Sequence, residues 1–156
     1  MAKILIIMGS GKDLEFAKKI QEIVEEFDVE CELRVASAHK TPNKVLKIIE
    51  KNRDEKVVYV TIAGRSNALS GFVDANTSKP VIAAPPYSDK FGGLDIFSSL
   101  RMPSGVAPLV VLGSEQAALA ALKILGINDE NLEKNIIKYQ EVYKKRIEKE
   151  DEKING

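Results

Sequence analysis

The sequence predicts a three-layer α/β/α sandwich on a parallel sheet, followed by a long C-terminal helix. Three observations lead there. Five short β-prone apolar runs alternate with helical stretches, and such alternation implies parallel strands joined by right-handed crossovers. The 156 residues fit one domain, residues 1–156, long enough for folding to remove roughly 70% of the chain's surface from water. Hydrophobic residues make up 44% and charged residues 29%, the balance of a globular chain in water.

Lys3 to Met8 is the first strand. It stops at Gly9-Ser10-Gly11, and Leu14, Ala17, Ile20, Ile23, Val24 and Phe27 then recur at spacings of three and four, which predicts a helix starting near Asp13. A carboxylate at that point caps free backbone N–H groups and meets the positive end of the helix dipole. Glu30 to Val35 alternates as a second strand, and Ser37-Ala38-His39-Lys40 is a polar break. Thr41-Pro42 supplies an N-cap with proline at the first helical position, opening a helix that runs to about Asn52. Val57 to Ile62 is the third strand, followed by Ala63-Gly64-Arg65-Ser66-Asn67 and a helix of small residues through Ala75. Pro80 to Ala84 is the fourth strand. Ala107 to Leu112 is the fifth, leading through Gly113-Ser114 into a helix from Glu115 to Leu125. The whole is flavodoxin-like or Rossmann-like.

Two segments stand outside this alternation. Tyr87 to Gly105 is long, irregular and rich in Ser, Gly and Pro, with a short helix from Asp95 to Leu100; such a loop is a candidate lid or binding loop. Residues 129–151 form a charged helix whose apolar members Leu132, Ile136, Tyr139, Tyr143 and Ile147 need a partner, either the chain's own sheet or a neighbouring subunit.

Composition excludes several function classes. Lys plus Arg and Asp plus Glu each number 23, so there is no net positive charge of the kind nucleic acid demands. The apolar run Ile4 to Met8 is too short for a membrane span and lacks the flanks of a signal peptide, so a cytoplasmic protein is expected. A single cysteine, Cys31, forms no intrachain disulfide. One cysteine and one histidine cannot build a thiolate or imidazole zinc cage, and no metal is expected.

In a parallel sheet every strand-to-helix turn lies at the carboxyl edge, which gathers residues 9–13, 37–42, 64–70 and 85–94 at one rim. Gly9-Ser10-Gly11-Lys12-Asp13 offers close backbone approach, hydroxyl and ammonium donors and a helix N-terminus; it reads as a phosphate cradle or as an ordinary capped turn. The second piece carries the only histidine, His39, between Ser37 and Lys40, either an acid–base group or a solvated loop side chain. Arg65, Ser66, Asn67 and Ser70 crowd a guanidinium, an amide and two hydroxyls at a third helix start, where capping and ligand binding can coexist. Arg101, Met102 and Pro103 sit among small residues in the long loop.

Read together, these pieces resemble the PurE family of aminoimidazole ribonucleotide carboxylases and mutases over residues 3–125. The shared motifs run in order: Met8-Gly9-Ser10 with Asp13, Ser37-Ala38-His39-Lys40-Thr41-Pro42, Ala63-Gly64, Pro80-Val81-Ile82, Gly93-Leu94-Asp95 and Met102-Pro103-Ser104-Gly105. Mutases of the bacterial type read Ala-Gly-Ala-Gly-Gly-Ala-Ala-His-Leu-Pro-Gly at the third motif. This chain reads Ala63-Gly64-Arg65-Ser66-Asn67-Ala68-Leu69-Ser70-Gly71 and has no second histidine, which is similar to the carboxylase branch that uses carbon dioxide directly.

The resemblance implies a role for each position. Ser10 and Asp13 hold the ribose phosphate end, with Asp13 on a ribose hydroxyl, and Ser37 and Lys40 hold phosphate. His39 transfers the proton. Gly64, Arg65, Ser66, Asn67 and Ser70 form the pocket for carbon dioxide and the new carboxylate; Gly9, Met102 and Pro103 are candidate further contacts, and Lys12 either adds a phosphate contact or points to solvent. Many relatives have a serine in place of Lys12. The implied activity is reversible carboxylation of 5-aminoimidazole ribonucleotide without metal, biotin or ATP. The N5-carboxyaminoimidazole ribonucleotide mutase is the alternative within the family, and a non-catalytic nucleotide-phosphate-binding module the alternative outside it. The family's homo-oligomers, often octamers, assign residues 129–151 to a neighbouring subunit.

Overall fold

A computed structural model describes residues 2–156. Its five strands are β1 (Lys3–Met8), β2 (Glu30–Val35), β3 (Val57–Ile62), β4 (Val81–Ala83) and β5 (Leu109–Val110). They form one sheet in the order β2-β1-β3-β4-β5 with every neighbouring pair parallel, the flavodoxin-like order. Six α-helices surround it: α1 (Leu14–Glu25), α2 (Pro42–Lys51), α3 (Ala68–Asp74), α4 (Phe97–Leu100), α5 (Ser114–Gly126) and α6 (Glu130–Asn155).

Alternate residues of the central strands feed two separate cores. Ile4, Ile6 and Met8 of β1 and Val58, Val60 and Ile62 of β3 pack on one face with Ala17, Ile20 and Val24 of α1 and Ala117, Ala118 and Leu122 of α5. Leu5, Ile7, Val57 and Tyr59 pack on the other with Val45, Ile48 and Ile49 of α2 and Leu69 and Val73 of α3. Burial on both faces is why these strands read as unbroken apolar runs.

Several elements differ from the sequence-based expectations. β5 spans two residues rather than the six from Ala107 to Leu112, because it is an edge strand: Pro108 has no N–H, and the Ala107 N–H donates to the Asp74 carboxylate at 2.7 Å instead of to a ladder. Asp13 does not cap α1. Ser10 caps a single 3₁₀ turn, Gly11–Asp13, by accepting the Lys12 N–H at 3.3 Å, and α1 begins after it. Thr41 does not cap α2; its hydroxyl accepts the Ser37 N–H at 2.9 Å, while Pro42 stands in the first turn as expected.

The partner of the terminal helix is, for its first half, the chain itself. Leu132 and Ile136 are buried in the α1/α5 core, and Tyr139 lies on Phe27 with ring centroids 5.4 Å apart. The Tyr139 hydroxyl donates to Glu115 at 3.0 Å. Beyond this point Ile147 and Ile154 are 65% and 81% exposed, so the stripe continues outward on a half-helix without an intrachain partner among the described residues.

Candidate active site

The strand order reverses direction between β1 and β3, and the crevice outside the carboxyl ends of such strands is where open α/β sheets bind ligands. A cavity of about 610 Å³ lies there. Its walls come from four segments that the sequence spreads over more than eighty residues.

The β1 turn contributes Gly9, Ser10, Lys12 and Asp13. Ser10 uses an oxygen lone pair to accept the Lys12 N–H, which leaves its hydroxyl proton free. Asp13 makes neither a cap nor an ion pair among the described residues, and burial raises its pKa above the ordinary 3.8. A desolvated carboxylate without a protein partner is costly to the fold and suited to accept a ligand hydroxyl.

The β2 turn contributes Ser37, His39 and Lys40. Its ends are tied to each other: the Thr41 N–H donates to the Ser37 carbonyl at 2.8 Å, and the Ser37 N–H donates to the Thr41 hydroxyl at 2.9 Å. Ser37 Oγ also accepts the Lys40 N–H at 3.2 Å, so this serine too keeps a spare proton. The exposed imidazole of His39 thus projects from a short turn fixed at both ends.

The β3 turn contributes Gly64, Arg65 and Ser66. Arg65 has φ 61, the left-handed region that a bulky side chain enters at a cost of about 1–3 kcal/mol. Its N–H donates to Asp95 Oδ2 at 2.9 Å, and its carbonyl accepts the Ser98 hydroxyl at 3.2 Å. The N–H groups of Gly64 and Ser66 donate to no protein acceptor among the described residues. A Cβ built on Gly9 or Gly64 would meet protein atoms no nearer than 3.7 Å, so the protein itself has room for a side chain at either place.

Asn67 and Ser70, for which a substrate contact is expected, stand outside the cavity lining. Both are buried, and they point beneath the turn. Asn67 Nδ2 donates to Ser70 Oγ at 2.7 Å and to Ser99 Oγ at 2.9 Å, while Asn67 Oδ1 accepts the Ser70 N–H at 3.1 Å. Ser70 Oγ in turn lies 2.7 Å from Thr61 Oγ1. Asn67 caps α3. Met102 and Pro103 also stand outside the cavity wall. Met102 packs against Gly71, where an added Cβ would come within 2.9 Å of its sulfur.

The fourth wall brings residues that were not singled out as site residues. Pro86, Tyr87, Ser88, Lys90 and Asp95 line the cavity from the long connection between β4 and β5. The length of that connection marked the segment, but only folding selects among its residues.

Known proteins resemble this chain over nearly its whole length. The family model described as AIR carboxylase matches residues 3–146. A phosphoribosylaminoimidazole carboxylase of Archaeoglobus fulgidus is 59% identical over 152 residues, 97% of this chain and 84% of the relative. An N5-carboxyaminoimidazole ribonucleotide mutase of Methanocaldococcus jannaschii is 45% identical over 155 residues, 97% of this chain and 96% of the relative. The crystal structure of Treponema denticola PurE superposes with a TM-score of 0.96 at 41% identity and covers all of both chains. The chain therefore belongs to the AIR carboxylase family, PurE.

Proposed function

We propose that this protein is a phosphoribosylaminoimidazole carboxylase, converting 5-aminoimidazole ribonucleotide and free carbon dioxide reversibly to the 4-carboxylate in purine biosynthesis. The observation that carries this reading is the single imidazole, fixed on the Ser37–Thr41 turn at the rim of a cavity whose spare groups are anion-binding donors.

The 4-carbon of the aminoimidazole is enamine-like and nucleophilic. It forms the new carbon–carbon bond to carbon dioxide as one C=O electron pair moves onto oxygen, leaving a tetrahedral ring carbon that still bears its hydrogen. His39 takes that proton, and the C–H pair restores aromaticity; an imidazole can both accept a proton in this step and return it in the reverse one. The N–H groups of Gly64 and Ser66 and the Ser66 hydroxyl receive the carboxylate charge. Ser10, Ser37, Lys12 and Lys40 hold the phosphate, and Asp13 accepts a ribose hydroxyl. The ring's own nucleophilicity supplies the driving group, so the scheme calls for no metal, biotin or ATP. A charged, phosphorylated substrate fits a cytoplasmic enzyme, and the uncovered end of α6 fits a homo-oligomer.

Relatives bear both carboxylase and mutase names. The absence of a second histidine and the Arg65-Ser66-Asn67 segment favour the carboxylase. The two are separated by following ultraviolet absorbance with each substrate. Turnover of 5-aminoimidazole ribonucleotide with bicarbonate is expected, and turnover of the N5-carboxylated compound alone reverses the assignment. His39→Asn is expected to lose at least about 100-fold in turnover while retaining nucleotide. Unchanged turnover would remove His39 from the reaction, and no turnover by the parent chain would leave the nucleotide-binding module.

A further inference from the structure

One carboxylate in the cavity wall has no part in the proton transfer described above. Asp95 belongs to the connection between β4 and β5, yet its Oδ2 accepts the N–H of Arg65 from the β3 turn at 2.9 Å. Three residues on, Ser98 Oγ accepts the Asn67 N–H at 3.0 Å and donates to the Arg65 carbonyl at 3.2 Å or to the Asp95 carbonyl at 2.7 Å. The Arg65 N–H therefore rests on a side chain of a distant loop, and its carbonyl shares the Ser98 proton with the nearer Asp95 carbonyl.

Arg65 is also where the turn needs holding, since its φ of 61 persists only when the surroundings over-determine it. A left-handed residue inside a turn swings successive N–H groups to one side and makes an anion-receiving concavity. Gly64 and Ser66, the residues that flank Arg65, line the cavity, and no protein acceptor among the described residues takes up their N–H groups. The Arg65 N–H between them is withdrawn from any ligand by Asp95. A charged acceptor suits this task, because a carboxylate holds a backbone N–H more firmly than a neutral oxygen does.

From this geometry we infer that Asp95 is a positioning residue. By holding the Arg65 N–H it keeps the turn left-handed and aims the Gly64 and Ser66 N–H groups at the carboxylate that forms on the substrate. The identity of that charge rests on the proposed carboxylation; the latch itself does not.

The test uses the purified full chain with Asp95→Ala, Asp95→Asn and Ser98→Ala, read by turnover, by calorimetric binding of 5-aminoimidazole ribonucleotide and by amide hydrogen exchange. Asp95→Ala is expected to lower turnover about 100-fold, the scale of a lost oxyanion donor, and to keep nucleotide affinity within about threefold. Exchange at the Arg65 and Asn67 amides, the two of this turn that are bonded to the loop, should speed up by at least about tenfold while the sheet amides stay protected, which also shows that the variant has folded. Asp95→Asn keeps an acceptor oxygen, so it should recover at least about tenfold of the lost rate with the parent pH profile, and Ser98→Ala should show a smaller loss in the same direction. An Asp95→Asn enzyme as inactive as Asp95→Ala, with an altered pH profile, would make Asp95 an acid–base group and overturn the inference. Parent-like exchange in Asp95→Ala would overturn it equally. If the parent chain fails to turn over the ribonucleotide while Asp95→Ala loosens the Arg65 and Asn67 amides and Asp95→Asn restores them, the latch stands and the proposed reaction falls.

Discussion

Asn67→Ala distinguishes a side chain that touches substrate from one that builds the wall behind it. Each hydroxyl of the buried cluster has one proton to give, which constrains the pattern. Thr61 and Ser70 share a bond in which either hydroxyl donates, Thr61 also reaches the Ile82 carbonyl and Ser70 the Asn67 Oδ1, and Asn67 donates to both Ser70 and Ser99 while accepting the Ser70 N–H. Truncation thus removes three bonds formed by Asn67 and strands buried partners, at about 1 kcal/mol for each bond, or about 3 kcal/mol in all. For a domain of this size, where 1 kcal/mol moves the melting temperature by about 2–4 °C, the midpoint should fall by about 6–12 °C. The assay is a melt at fixed protein concentration, alongside nucleotide binding at 20 °C below the midpoint. The expected variant is thermally weakened and still binds nucleotide when folded. A midpoint within about 2 °C of the parent, together with nucleotide binding lost about 100-fold, would refute the buried-network account and return Asn67 to the ligand.

Asp13→Asn should stabilise the chain and impair turnover together. Because burial raises its pKa above 3.8, the folded chain binds that proton more readily than the unfolded one; stability falls as pH climbs from about 3.8 through the folded value, and the deficit is complete at neutral pH. Melts across pH should therefore show a gain for the variant at pH 7 that shrinks toward pH 3.8, and a uniform gain at all pH values would refute this origin. Tyr59 buries a hydroxyl with no protein partner among the described residues, and burial plus the nearby Glu32 charge push it up to about 12. Tyr59→Phe should raise stability by about 1 kcal/mol in urea titrations, and a loss of that size would reveal a bond in solution. Ending the chain at Lys144 removes Ile147 and Ile154 but keeps Leu132, Ile136 and Tyr139. The truncated chain should fold and show a smaller assembled mass by light scattering; an unchanged mass would place the assembly contacts elsewhere.

The elements legible in the sequence are those whose identity is local. Ile4 to Met8 and Val57 to Ile62 announce buried strands because both sheet faces are covered, and the turns after them announce the site because parallel topology sends them all to one rim. What escaped detection depends on contacts across the fold. Asn67 and Ser70 look like any polar pair at a helix start, and only Ser99, 32 residues from Asn67, shows that they face inward. Asp95 was visible as part of a family motif, but its partner lies 30 residues earlier. Asp13 has the sequence signature of a cap, yet Ser10 takes that position because the chain enters α1 through a 3₁₀ turn. The terminal stripe is continuous in sequence, and its division at Tyr139 follows from where Phe27 and Glu115 end on the body of the domain.

The hydrogen bonds that the rim spends on itself define what it can bind. Ser10 and Ser37 each accept a backbone N–H and keep a proton, and Gly64 and Ser66 keep their N–H groups, so what remains is donors. Lys12, Lys40, Arg65 and Lys90 add cations around the same cavity, although the whole chain carries equal numbers of acidic and basic residues. Of the two carboxylates there, Asp95 gives one oxygen to the Arg65 N–H, whereas Asp13 makes no bond to the protein among the described residues. The β2, β1 and β3 turns lie side by side, so the outer two are separated by roughly 10 Å at ordinary strand spacing. A ligand that satisfies all of these groups must be small, carry acceptor oxygens at both ends and present a hydroxyl to Asp13 between them. A ribonucleotide with phosphate at one end and a carboxylate growing at the other has that distribution; one lacking the second anion leaves the Gly64 and Ser66 donors unmatched until carbon dioxide arrives, which is the difference that favours the carboxylated state in the site.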